Sequence, residues 1–66
     1  MRPCNRSLEE TISLTDTMLA LSEKGDMRRE DDGCGILYGV LRDSAYKIRK
    51  MAEAEKEAHK KKGKWE

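Results

Sequence analysis

A stripe in the second half of the chain constrains the fold most. Cys34, Leu37, Leu41, Ser44, Ile48, Met51, Glu55 and Ala58 follow one another at alternating steps of three and four. That spacing is the heptad signature of a helix packed lengthwise on another helix. A second row, Tyr38, Ala45, Ala52 and His59, lies beside it at steps of seven. The chain is thus built from long helices, and the stripe predicts Leu41 and Ile48 as the buried centre of the contact.

The first half supplies the partner. Ser7 followed three residues later by Glu10 matches a capping box, in which each side chain bonds the other's backbone N–H. Gly25, after Glu23-Lys24, is placed as a helix stop. These signals predict helix one over about residues 8–24, preceded by a tail over 1–6. On a wheel of 100° per residue, its charged residues gather on one side. Leu8, Ile12, Leu14, Met18, Leu19 and Leu21 flank the other, with Thr11, Thr15 and Ser22 between them. Those small hydroxyl residues allow close approach at the centre of a wide uncharged arc.

Residues 25–32 lack periodicity and read as a connector, in which Asp31 or Asp32 can cap the next helix. So short a connection favours antiparallel neighbours. Helix two is predicted over about 33–61, ending before Gly63, with a frayed tail over 62–66. At these lengths helix two overhangs helix one by roughly 15–20 Å. The fold class is all-α: one small domain, an antiparallel two-helix hairpin, dimerising into a four-helix bundle.

Composition supports the need for a second copy. The chain has 66 residues, of which 41% are charged and 36% hydrophobic, with no Phe. Chains this small bury a low fraction of their surface and draw on disulfides, metals or oligomerisation. Two cysteines, Cys4 and Cys34, allow one conceivable bridge but no disulfide framework. The opening MRPCNRS lacks an export segment, and no run approaches the ~18 apolar residues of a membrane span. The reading is a reduced, cytoplasmic protein with Cys34 as a small buried hydrophobe. The single histidine, His59, has Glu55 four residues before it. The helical carboxylate sites need Glu-x-x-His, and position 56 is Lys, so no metal or other cofactor is assigned.

Candidate functional residues are few. Gly35 and Gly39 stack one turn apart on a face that continues through Arg42, Tyr46 and Arg49. Paired glycines invite close approach of a backbone or ligand, and an aromatic ring among cations fits a docking surface. These five are the predicted partner-binding residues, for either self-association or a different partner. Catalysis finds no footing: Cys34 and His59 lie about 25 residues, nearly 40 Å, apart on one helix, beyond nucleophile–base reach. The net charge of +1 gives no global pull toward nucleic acid or membranes. The function read from the residues is a small cytoplasmic, non-enzymatic interaction or regulatory protein. It acts as a homodimer that binds an unidentified protein. The alternative is a nucleic-acid-binding accessory protein using the basic helix-two face and the lysine-rich tail.

Overall fold

A computed structural model describes residues 1–28 and 30–66. Two antiparallel helices, α1 (Pro3–Met27) and α2 (Asp32–Lys61), form a hairpin 48 × 15 × 12 Å. Both ends of α1 differ from the expected 8–24. Pro3 occupies the first turn, where its missing N–H costs nothing and its fixed φ favours the helix. With the helix begun there, Ser7 lies inside it and accepts Thr11 Oγ1 on its carbonyl at 2.8 Å. The Ser7–Glu10 capping box therefore does not arise. Arg2 is the N-cap, and no side chain bonds the helix end there. Instead the Arg2 N–H donates to the Glu66 carbonyl.

Gly25 does not end α1 either. It lies within the helix, and a Cβ placed on it would overlap the ring of Tyr38. The glycine lets the Tyr38 ring lie against the backbone of α1. The turn that does end α1 runs through Arg28, whose N–H donates to the Gly25 carbonyl at 3.2 Å. The start of α2 is near the expected position. The Asp31 side chain accepts the Cys34 backbone N–H at 2.8 Å. That bond holds the Asp31 carboxyl below its ordinary value.

The C-terminus of α2 closes with a complete Schellman motif. The Lys64 N–H donates to the His59 carbonyl at 2.8 Å and the Gly63 N–H to the Lys60 carbonyl at 3.0 Å. Gly63 takes φ +69°, the left-handed conformation this motif requires. At 25 and 30 residues the two helices are nearly matched, so the long overhang of helix two is absent.

The seam between the helices is where the structure departs most from the heptad reading. The buried residues are Asn5, Thr15 and Ser22 on α1 and Ala45 and Ala52 on α2. The row facing α1 is thus the seven-step row Tyr38, Ala45, Ala52 and His59. The stripe through Leu37, Leu41, Ile48 and Met51 lies to one side of it. Leu41 is half-buried, and Leu37, Ile48 and Met51 are exposed. The physical reason is size. Alanines seven apart let α1 come close, and the larger side chains are then turned out of the seam. On α1 the hydroxyls bond within their own helix: Thr15 Oγ1 donates to the Ile12 carbonyl at 2.6 Å and Ser22 Oγ to the Leu19 carbonyl at 2.8 Å. They are buried without needing a partner across the seam.

Two contrasting outcomes test this packing. Gly39→Ala meets open space and is expected to stabilise the protein by up to about 1 kcal/mol, through helix propensity alone. Gly25→Ala gains the same propensity but must displace the Tyr38 ring, so its melting temperature is expected to fall. Thermal melts of both variants check the pair. At the other end of the connector, acid is expected to weaken the Asp31 cap. A carboxyl lowered by folding contributes its stability above its ordinary 3.8, and loses it as pH falls through the lowered folded value. The Cys34 amide resonance should report that titration. Asp31→Asn, which caps as well as Asp, should remove it.

Candidate functional site

Cross-helix contacts define the register. Glu9 Oε1 meets Lys56 Nζ at 2.8 Å, and Asp16 Oδ1 meets Arg49 Nη1 at 3.2 Å. His59 Nδ1 lies 2.7 Å from Asn5 Oδ1, and Gly25 meets Tyr38 at the other end. Relative to the seam, the hairpin has two unlike sides. One residue after Thr15 and Ser22 come Asp16 and Glu23, with Glu9 seven before Asp16. One residue before them come Leu14 and Leu21, with Ser7 seven before Leu14. The same holds on α2, where Tyr46 follows Ala45 and the row Leu37, Ser44, Met51, Ala58 precedes the seam row. Successive residues are 100° apart, so each helix places its two flanking rows on opposite sides.

The polar side holds the sequence-predicted residues. Gly35, Gly39, Arg42 and Tyr46 line a groove of about 770 Å³ with Leu19, Ala20 and Met27, near the connector. Glu23 and Asp26 also line it. Gly39 has no atom within 4 Å of a would-be Cβ, so the groove is open there. Arg49 is not among the lining residues. It is held by Asp16 and, through Nε, by Glu53 Oε1 at 3.3 Å. Arg42 lies 3.6 Å from Asp43, and Lys60 lies 3.8 Å from Glu57. Much of the basic face of α2 is therefore already engaged by carboxylates.

The apolar side was not singled out as a site. It carries Leu14 and Leu21 with Leu37, Val40, Ile48 and Met51, all exposed. The heptad stripe carries the signal, since it marks a face that packs on another helix without saying which chain supplies that helix.

The residue sequence reasoning missed is Asn5. It was placed in a tail, yet its side chain is buried and organises the open end of the hairpin. Asn5 Nδ2 donates to the Lys64 carbonyl at 2.7 Å and reaches the Glu66 carbonyl at 3.4 Å. With the amide nitrogen so used, Asn5 Oδ1 is the acceptor for His59, and the proton sits on His59 Nδ1. The faint signal was spacing: Asn5, Ile12 and Leu19 lie seven apart. The same bonds correct the frayed tail expected over 62–66. Trp65 is half-buried, with Lys56 Nζ 5.1 Å from its ring centroid, and Arg2 Nη2 pairs with Glu66 Oε1 at 3.2 Å.

Cys4 and Cys34 are free thiols near the start of each helix. In an antiparallel hairpin those positions are at opposite ends, roughly 40 Å apart. The conceivable bridge between them within one chain is therefore excluded. Cys34 is half-buried rather than a core residue. His59 Nε2 lies 3.9 Å from Glu55 Oε2. Among the described residues no group of three metal-ligating side chains forms, and no helix is long and apolar enough to cross a membrane.

Asn5→Ala is expected to cost about 1–2 kcal/mol, because the Lys64 carbonyl and half-buried His59 lose their partner. It should also release the tail. Fluorescence from Trp65, the chain's single tryptophan, should shift to longer wavelength, and an unchanged spectrum would contradict the role assigned to Asn5. No family model matches this chain, and no curated protein and no solved structure matches it.

Proposed function

We propose that this chain is a small cytoplasmic interaction or regulatory protein that self-associates into a four-helix bundle and binds another macromolecule. One observation carries the reading. Among the described residues, the apolar side chains fully buried in the hairpin are Ala45 and Ala52, at 0% and 6% exposure, while ten large apolar residues are exposed. Two alanines, with Leu8, Ile12, Met18, Leu19, Tyr38 and Leu41 only half-buried around them, contribute modest burial against the entropy of ordering two long helices. Lone two-helix units of this size are marginal. The groove at Gly35, Gly39, Arg42 and Tyr46, with Arg49 one turn on, is the proposed partner site. Its mixture of Arg42 with Glu23 favours a protein over phosphate, which would meet that carboxylate as repulsion.

Light scattering behind size exclusion at micromolar concentration is expected to report about twice the 7.6 kDa chain mass. The melting temperature should rise with protein concentration, as mass action requires of a dimer. A folded species of one chain mass under those conditions would overturn the bundle. Titration with duplex and single-stranded nucleic acid at low salt should give no saturable binding. Tight binding that weakens steeply with salt would move the reading to a nucleic-acid accessory protein.

A further inference from the structure

We infer that a second copy of this chain seats on the side of the hairpin formed by Leu14 and Leu21 of α1 and Leu37, Val40, Ile48 and Met51 of α2. The inference rests on the self-association proposed above and adds its location: the groove at Gly35 and Gly39 stays outside the interface. Three observations carry it.

The first is the extent of the face. Leu14, Leu21, Leu37, Val40, Ile48 and Met51 are 57%, 51%, 58%, 58%, 37% and 62% exposed. Six large exposed apolar side chains thus gather on one side of a 66-residue hairpin. Few monomeric proteins leave so large an apolar surface open.

The second is periodicity. Leu14 and Leu21 are seven apart on α1, and Leu37, Ser44, Met51 and Ala58 are seven apart on α2. Two seven-step rows side by side present the knobs and holes into which the same two rows of another copy fit. The alanine seam already uses the rows that face inward, so these rows are only partly covered within the chain.

The third is charge. The cross-helix ion pairs, Glu9 with Lys56 and Asp16 with Arg49, both lie on the opposite side. On the apolar side only Glu55 interrupts the centre of the α2 row, near the open end of the hairpin. A second copy brings an equally charge-poor surface, so no uncompensated ion is buried over the central stretch. A lipid surface would instead draw on a cationic fringe. Here the flanks carry both signs, with Glu10 on one edge and Lys47 on the other.

The test uses the full chain. Met51→Glu alters a side chain that is mostly exposed in the hairpin. It is expected to halve the mass seen by light scattering at micromolar concentration. Gly39→Glu, on the groove side, should keep the parent mass. A parent of one chain mass would sink self-association itself. A parent dimer that survives Met51→Glu but is split by Gly39→Glu would leave self-association standing and overturn this face. Should Met51→Glu fail to fold alone, crosslinking decides. In a background with Cys4 and Cys34 replaced by Ser, Ser44→Cys is expected to yield a covalent dimer with a short bis-maleimide, and Tyr46→Cys is not. The reverse pattern overturns the assignment, as does transfer of the parent dimer to phosphatidylcholine–phosphatidylglycerol vesicles as single chains.

Discussion

The close approach of α1 and α2 through small side chains is the constraint on which the rest of this structure depends. Ala45 and Ala52 face a line that includes Thr15 and Ser22, and these four are buried. Larger residues at these places would hold the helix axes apart, and the cross-helix bonds would lengthen with them. Glu9 reaches Lys56, and Asp16 reaches Arg49, because the seam between them is narrow. Tyr38 extends the same logic at the connector end, where the ring lies against a glycine. Exposed ion pairs contribute little stability by themselves. Here they add directionality to a seam whose apolar content is slight.

Asn5 complements that seam at the open end. An apolar residue there would pack in several ways, whereas an amide with three partners fixes one. Buried polar groups are known to specify register at some expense in stability. The Asn5 network joins the first turn of α1 to the Schellman turn of α2 and the segment beyond it. No buried side-chain polar atom among the described residues lacks a partner, so the polar interior carries no desolvation penalty left unmet. The hairpin is therefore well specified while being thinly cored. Specification comes from polar contacts and small residues, and the large apolar residues remain available on the outside. A chain of this kind has an energetic reason to associate.

The hairpin was legible in the sequence because its signals are local. Heptad spacing, the Asp31 cap and the stop at Gly63 each act within a turn or two of helix, and α2 lies close to where they place it. The limits of α1 were not legible for the converse reason. Ser7 and Gly25 are strong local punctuation, but local preferences of about a kilocalorie yield to tertiary contacts. Arg2 and Asn5 gain partners in the distant C-terminal segment, and Gly25 gains the Tyr38 ring. Of the candidate site, four of the five residues line one groove, since Gly35, Gly39, Arg42 and Tyr46 share a helix face at fixed spacing. Arg49 shares that spacing too, but acids on α1 and α2 claim it.

What the sequence determined by itself was therefore the periodicity: two helices, their antiparallel pairing through a short connector, and two apolar rows on α2. Which row faces α1 was decided only by the tertiary structure. Both rows repeat every seven residues, and the hydrophobic stripe is the stronger pattern by composition. Close packing reverses that ranking, because contact between two backbones rewards the smallest side chains, and Ala45 and Ala52 are smaller than Leu41 and Ile48. Periodicity reports which residues share a face. The volume available between two particular helices decides which face is closed.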